Sequence, residues 1–218
     1  MEFDTFILIC NYIGTIAFAA SGAIKGFDKK LDIFGITLLA IVTAVGGGML
    51  RDSIISHFPF ALSDPSSIYL SIVVALVMYI FVINRRLNNI QTKSFYLFLR
   101  WANLVFDAVG LVIFSLIGAT VLDSSQQNMM AVGMLATLTG VGGGIIRDLL
   151  SNEVPSVLKK DIYAVFSFGV GVTYYLLITI LHLPRIPSFI AVFVIGLFLR
   201  LYIIKHCLAL PNMDKLHK

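Results

Sequence analysis

The stretch Gly46-Gly47-Gly48-Met49-Leu50-Arg51-Asp52 decides the fold, and it recurs as Gly142-Gly143-Gly144-Ile145-Ile146-Arg147-Asp148. Each copy lies inside a long apolar segment. Every glycine costs a helix about 1 kcal/mol relative to alanine, so the helix is expected to break at each triplet. A break followed by a charged pair is tolerated in lipid only where the segment faces protein or a water-filled path. Each copy is therefore predicted to form half of a functional site.

The composition places the chain in the class of polytopic membrane proteins. Hydrophobic residues make up 58% of its 218 residues and charged residues only 13%, and the mean hydropathy is +0.93. No water-soluble fold of this size needs so much apolar surface. The net charge of +4 does not indicate nucleic-acid binding, because the basic residues are distributed over short loops as membrane topology requires.

Seven helical spans are predicted within one transmembrane domain, 1–218. They cover about 4–24, 32–57, 67–84, 96–121, 128–151, 161–182 and 187–206. The first span has no basic start and carries Glu2 and Asp4, so we expect a retained helix and not a signal peptide. The fold class is an all-α membrane protein.

The distribution of lysine and arginine predicts the orientation. Apart from the two arginines of the repeated phrase, thirteen basic residues lie on one side of the membrane and only Arg185 lies on the other. The positive-inside rule then places the N-terminus outside and the C-terminus in the cytoplasm. The thirteen are Lys25, Lys29, Lys30, Arg85, Arg86, Lys93, Arg100, Lys159, Lys160, Arg200, Lys205, Lys215 and Lys218.

The repeat extends well beyond the glycine phrase. At a constant offset of 96 residues, the first half (repeat A, about 4–84) matches the second (repeat B, about 96–182). Because each unit contains three spans, an odd number, the second unit must enter from the opposite face. We therefore predict an inverted 3+3 repeat with a seventh helix added at about 187–206. Matched pairs include Gly14 with Gly110, Phe18 with Phe114, Gly22 with Gly118, Leu39 with Leu135, Thr43 with Thr139, and Pro59 with Pro155.

A helix broken at its middle would present two charged ends to a permeating species. Carbonyls near Val42 to Val45 and Leu138 to Val141 would suit a monovalent cation. Amides near Gly48 to Leu50 and Gly144 to Ile146 would suit an anion or a carboxylate.

Few polar side chains accompany these ends. Ser21, Thr43 and Thr139 offer hydroxyls, while Asn11 and Asp107 occupy equivalent repeat positions. Asp107 is a lone carboxylate in an apolar span, so it is expected to pair with Arg51 or Arg147 or to face water. The predicted ion path comprises Asn11, Ser21, Thr43, Gly46, Gly47, Gly48, Arg51, Asp52, Asp107, Thr139, Gly142, Gly143, Gly144, Arg147 and Asp148.

Each of these features also has a purely structural interpretation. The glycines could serve close helix packing, and the Arg-Asp pairs could be neutral locks without contact to the permeant species. The aromatic residues near span ends are expected to be interfacial anchors. Those anchors are Tyr12, Trp101, Tyr163 and Tyr174.

Signatures of an enzyme are absent from the sequence. The glycine phrase lacks the third glycine of the dinucleotide fingerprint, and no phosphate-binding Gly-Lys-Ser/Thr loop occurs. The four histidines are scattered without ligand spacing. No cofactor is expected, and no metal site beyond transient binding of a monovalent cation.

The doubled Gly-Gly-Gly-x-x-Arg-Asp phrase, the seven spans and the outside N-terminus resemble the trimeric intracellular cation channel (TRIC) superfamily, and its prokaryotic branch in particular. The resemblance covers essentially the whole chain. It implies a homotrimer in which every protomer holds its own pore, lined by the first, second, fourth and fifth spans and kinked at the glycine triplets. A prokaryotic plasma membrane is the location that the paired Arg-Asp style and the short C-terminal tail favour.

Three functions are compatible with these residues. The first is a potassium-permeable channel, in which Asp52, Asp107 and Asp148 hold the path negative. The second is a transporter of a small zwitterion such as glycine, whose carboxylate could meet an arginine while its ammonium group meets a carbonyl or Asp107. The third is a structural or lipid-binding membrane protein with a locked core. The resemblance favours the channel.

Overall fold

The computed structural model describes residues 2–87, 93–122, 128–159, 162–206 and 208, and this part of the chain contains helices and no strand. The helices are α1 (Phe3–Asp28), α2 (Ile33–Ile54), α3 (Phe60–Ser63), α4 (Ser66–Leu87), α5 (Lys93–Ala119), α6 (Met129–Leu150), α7 (Ser156–Lys159), α8 (Ala164–Thr179) and α9 (Arg185–Lys205).

Six of these helices are long and apolar enough to cross a membrane, and they correspond to six of the seven predicted spans. The sixth predicted span, 161–182, is instead represented by α8, an apolar helix of 16 residues. At 1.5 Å per residue such a helix is about 24 Å long, less than the hydrocarbon thickness of a typical bilayer. The all-helical membrane class is confirmed.

Helices α2 and α6 begin and end in the same way, 96 residues apart. The Asp32 carboxylate accepts a hydrogen bond from the Gly35 amide at 2.7 Å, and the Asn128 side chain accepts one from the Ala131 amide at 2.8 Å. Both caps satisfy an amide that has no partner inside the helix. Each helix contains 22 residues. The duplicated sequence therefore produces duplicated local structure.

The predicted helix breaks at the two glycine triplets are wrong. Helices α2 and α6 run through them as uninterrupted α-helix. A Cβ atom on Gly47 would overlap the carbonyl oxygen of Thr139, and one on Gly143 would overlap that of Thr43. The triplets therefore allow the two backbones to touch where α2 and α6 cross. The energy of this packing offsets the low helix propensity of glycine.

Glycine also allows close helix packing within each half. A Cβ atom on Gly22 would lie 2.6 Å from the Leu39 carbonyl oxygen, and one on Gly118 would lie 2.5 Å from that of Leu135. Helix α1 thus packs closely on α2, and α5 packs closely on α6. These four helices form the centre of the molecule, whereas α4 and α9 are largely exposed at its periphery.

Candidate functional site

Arg147 is the centre of a buried hydrogen-bonded group. Its Nε and Nη2 atoms each lie 3.0 Å from Oδ1 of Asp148, the next residue on α6. Its Nη1 atom donates to Oδ1 of Asp107 on α5 at 2.9 Å and to the Ser21 hydroxyl on α1 at 2.7 Å. The sequence expectation that Asp107 pairs with one of the two repeated arginines is therefore fulfilled by Arg147.

Tyr163 completes this group from the turn before α8. Its hydroxyl donates to the second oxygen of Asp107 at 2.7 Å, and the residue is only 2% exposed. The second oxygen of Asp148 accepts from the Ser156 amide at 2.7 Å. Both oxygens of Asp107 and both oxygens of Asp148 therefore have a hydrogen-bond partner, which offsets the cost of burying their charge. We call Ser21, Asp107, Arg147, Asp148 and Tyr163 the buried polar cluster.

The first half repeats part of this arrangement. Arg51 binds Oδ1 of Asp52 through Nε at 2.8 Å and through Nη2 at 2.7 Å. The other oxygen of Asp52 accepts from the Phe60 amide at 2.9 Å, as Asp148 does from Ser156. Each Arg-Asp pair thus fixes the start of the short helix that follows it, α3 or α7.

The two halves differ beside the arginine. The position equivalent to Asp107 is Asn11, and the position equivalent to Tyr163 is Ser67. Asn11 and Ser67 are hydrogen-bonded at 3.0 Å, so the contact is preserved but the charge and the aromatic ring are not. Within the described residues, Arg51 forms its ion pair with Asp52 alone.

A cavity of about 800 Å³ occupies the first half instead. It extends from the beginning of α1, at Phe3, to Thr15 and the glycine triplet of α2, reaching Gly48. Twelve residues of helix correspond to about 18 Å of depth. We call the side where α1 begins the N-terminal face and the opposite side, where α9 ends, the C-terminal face.

The wall of the cavity is mostly apolar, but it carries three acidic side chains and, toward its deep end, two neutral polar ones. Asp4, Asp52 and Asp64 line it, against one arginine, Arg51. At its deep end the Thr15 hydroxyl is buried and has no hydrogen-bond partner among the described residues. Asn11 lies one helical turn above Thr15 on the same face of α1. The surface therefore favours a cation and offers it neutral oxygen ligands at the floor.

Most of the remaining predicted path residues lie in the helix crossing, whereas Gly144 lies beside the Tyr163 hydroxyl. The hydroxyls of Thr43 and Thr139 donate to carbonyls of their own helices, from Leu39 and Leu135, and are fully buried. Gly46, Gly47, Gly142 and Gly143 face the opposite helix. No cluster of histidine, cysteine, aspartate or glutamate suited to a metal occurs within the described ranges.

The sequence interpretation missed three residues, Thr15, Tyr163 and Arg200. Tyr163 was expected at the membrane interface but lies inside the protein. Arg200 was counted as a cytoplasmic topology signal, yet it is 3% exposed. An arginine inside the predicted span 187–206 is itself a signal of a buried role, because charge is rarely left facing lipid.

The C-terminal face carries one further ionic contact between the halves. Lys25 and Lys29, at the end of α1, lie 2.6 and 2.7 Å from the carboxylate oxygens of Glu153, just after α6. The hydrogen bond from Lys25, followed by that from Lys29, lowers the pKa of Glu153 to about 2. The carboxylate is therefore ionised throughout the physiological range.

A model of a known protein family matches both halves of the chain. A family model described as "Glycine transporter" matches residues 8–85 and 104–179. The two matched segments begin 96 residues apart, the offset between the two halves.

Curated relatives cover most of the chain. It is 33% identical to the UPF0126 inner membrane protein YadS of Escherichia coli (strain K12) over 204 residues, 93% of both proteins. It is 40% identical to the UPF0126 membrane protein YvgT of Bacillus subtilis (strain 168) over 159 residues, 73% of this chain and 74% of that one.

Solved structures are similar to this chain in both fold and sequence. A crystal structure of a prokaryotic TRIC channel in 0.5 M KCl aligns with a TM-score of 0.81 and 33% identity, covering 94% of this chain and 99% of the other. The TRIC orthologue from Rhodobacter sphaeroides aligns with a TM-score of 0.80 and 28% identity, covering 94% and 100%.

Proposed function

Because the chain belongs to the TRIC superfamily, in its prokaryotic branch, we propose that it is a potassium-permeable channel with one pore in each protomer of a homotrimer. The solved relatives are described as cation channels. The pore would follow the groove between α1, α2, α5 and α6, in agreement with the resemblance found in the sequence.

The acidic cavity is the observation that carries this proposal. It is large enough for hydrated ions, and its carboxylates outnumber its arginine. Clefts lined by one sign of charge concentrate counter-ions, so this cavity would collect cations at the N-terminal face. The unpartnered Thr15 hydroxyl at the floor would replace part of a potassium ion's hydration shell.

The second half of the path would be closed in this conformation. The buried polar cluster lies at the equivalent place in the second half, and Arg147 is 4% exposed and bonded to Asp148, Asp107 and Ser21. Passage would require Arg147 and Tyr163 to move away from Asp107. Asp107 and Asp148 would then be exposed to the ion, while the two arginines would keep conductance modest and selectivity weak.

Membrane orientation is part of the proposal. The N-terminal face would lie outside a prokaryotic plasma membrane and the C-terminal face in the cytoplasm, as the lysine and arginine distribution predicts. The mutual contacts Gly47 with Thr139 and Gly143 with Thr43 support an inverted repeat, because a two-fold axis in the membrane plane would generate such an exchange.

A glycine transporter is the second candidate, and the description of the matching family model favours it. A zwitterion could place its carboxylate on the Arg51 guanidinium and its ammonium group near Asp64 or Asp4, all of which line the cavity. An inverted repeat closed at one face is also compatible with alternating access. We favour the channel because the solved relatives are described as channels.

The experiment is a comparison of two fluxes in liposomes. Wild type and Asp107→Asn are reconstituted, and potassium flux and uptake of labelled glycine are measured side by side. The proposal expects passive potassium flux that follows the gradient, is unaffected by glycine and is altered by the substitution.

Asp28→Asn provides the control, because Asp28 is exposed at the end of α1 and lies outside the path. It should leave potassium flux unchanged. Saturable glycine uptake with little potassium flux would instead establish the transporter and reject the channel.

A further inference from the structure

Arg200 lies in α9, the one long helix that belongs to neither repeat, yet it contacts the buried polar cluster. Its Nη1 atom donates to the Ile162 carbonyl oxygen at 3.0 Å. Its guanidinium carbon is 4.6 Å from the centre of the Tyr163 ring. Resting on the channel function proposed above, we propose that Arg200 is a positioning residue that holds Tyr163 on Asp107 and so keeps the C-terminal end of the path closed.

The surroundings of Arg200 leave it dependent on aromatic contacts, because its guanidinium carbon lies 4.6 Å from the centre of the Tyr163 ring and 5.9 Å from that of Phe166. The residue is 3% exposed. Among the described residues it forms no ion pair, and its Nε atom has no hydrogen-bond partner. A desolvated cation without a carboxylate at ion-pair distance is costly, and an aromatic face is one of the few groups that can stabilise it. Arg200 is therefore held against these two rings, and it keeps the Tyr163 ring in place in turn.

The contact is transmitted to the path through a short series of bonds. Arg200 fixes both the ring of Tyr163 and the carbonyl of the preceding residue, Ile162. The Tyr163 hydroxyl then donates to Asp107. It also lies against the glycine triplet of α6, since a Cβ atom on Gly144 would be 3.4 Å from it. Displacing Arg200 would free Tyr163 to leave this position.

The first half has no equivalent of Arg200, so it can be compared with the half that contains the buried polar cluster. Ser67 stands in place of Tyr163, and only residues 88–92 separate α4 from α5, so repeat A has no helix equivalent to α9. That half contains the open cavity. Helix α9 touches the first half at the N-terminal face, where Phe189 packs on Phe6, whereas Arg200 contacts the closed half.

The test uses three variants, Arg200→Met, Tyr163→Phe and their combination. Tyr163→Phe keeps the ring but removes the hydroxyl. Arg85→Met is the matched control, because Arg85 is an exposed arginine whose guanidinium carbon lies 5.6 Å above the ring of Phe81 on α4. Potassium flux in liposomes is one readout.

We expect each single variant to raise flux about tenfold, the factor by which loss of one desolvated contact shifts a two-state equilibrium. The double variant should rise no further, because both substitutions remove the same constraint. Arg85→Met should match the wild type.

A second readout does not depend on the proposed function. Val141 is 2% exposed and packs beside Tyr163. In a chain with Cys10 and Cys207 replaced by alanine, Val141→Cys should react with a small thiol reagent about ten times faster when Arg200 is methionine, and at the unchanged rate in the Arg85→Met control.

The outcomes separate the two proposals. Faster labelling without potassium flux in any variant would support the role of Arg200 and reject the channel. Potassium flux in the wild type, with flux and labelling both unchanged by Arg200→Met, would reject the role of Arg200 and leave the channel standing. If Arg200→Met does not fold, an unchanged labelling rate in Tyr163→Phe would equally overturn the inference.

Discussion

At the scale of single residues, the two repeated arginines have the same near neighbour and different surroundings. Arg147 uses its donors on Asp107, Asp148 and Ser21. Among the acidic residues that the structure describes, Arg51 binds Asp52 alone, and it faces the cavity. One arginine is therefore part of a closed structure, whereas the other borders a space that water can enter.

This difference predicts unequal costs of removal. Arg147→Met would leave two buried carboxylates without a cation and should lower the free energy of unfolding by about 3–5 kcal/mol. Arg51→Met should cost clearly less, because Asp52 lies beside the cavity and keeps its bond from the Phe60 amide. Thermal unfolding in detergent measures both. Equal losses would contradict the asymmetry described above.

Glu153 supplies a prediction about pH. Its pKa of about 2 in the folded state lies below the ordinary 4.5, so its contribution is complete above pH 4.5 and is lost as pH falls toward 2. Glu153→Gln should therefore lower stability by about 1 kcal/mol at pH 7. The difference between variant and wild type should disappear near pH 2 in pH-dependent unfolding curves. A difference that persists there would exclude the ion pairs as its cause.

The sequence predicted the pairing of Asp107 but could not choose its partner. A carboxylate in an apolar span must be paired, which limited the partner to Arg51, Arg147 or water. The choice depends on which helices meet, and spacing along the chain does not contain that information. Tyr163 was misplaced for a related reason, since a tyrosine near a span end is usually an interfacial anchor.

At the scale of helices, the glycine triplets serve a contact between α2 and α6. The sequence interpretation preferred a break, which helix propensity predicts, and kept close helix packing as the alternative. The structure favours packing, because the gain from two touching backbones exceeds the propensity cost of three glycines. Propensity acts within one helix, so it could not reveal a partner helix about 96 residues away in the sequence.

Alanine substitutions should separate the two effects. Gly47→Ala and Gly143→Ala would each place a methyl group on a backbone carbonyl, which cannot move aside, and should lower stability by at least about 2 kcal/mol. Gly48→Ala is the matched control, because its Cβ would be 3.9 Å from the Arg51 side chain. It should be neutral or stabilising by up to about 1 kcal/mol. Thermal unfolding in detergent would decide, and equal effects at Gly47 and Gly48 would exclude the packing role.

At the scale of the whole molecule, the membrane class and the family were predictable and are confirmed. Composition, span count and a doubled motif are global properties that a single sequence displays. The trimer, the orientation and the ion path remain predictions. The open cavity at one face could not be foreseen, because residues of separate helices line it, among them Asn11 on α1 and Ser67 on α4, and a single sequence does not show which helices meet.

The acidic cavity predicts that flux depends on salt. Asp4→Asn should reduce potassium flux at low ionic strength by a factor of about two to three, because the residue lines the mouth of the cavity. The reduction should vanish near 1 M salt, where charges are screened within about 3 Å. Asp28→Asn, on the opposite face, should leave the potassium flux that enters at the N-terminal face unchanged at every salt concentration. Flux measured across a salt series is the test, and an effect independent of salt would argue against electrostatic attraction.

The crossing of α2 and α6 has a consequence for the ancestry of the chain. Gly47 meets Thr139 while Gly143 meets Thr43, so each half offers the other the same surface that it receives. Such an isologous contact is what two identical subunits form about a two-fold axis. A single three-helix polypeptide could therefore have assembled as a homodimer before the gene was duplicated and fused. Fusion then allowed Asn11 and Asp107 to diverge, which a symmetric pair of identical chains could not do.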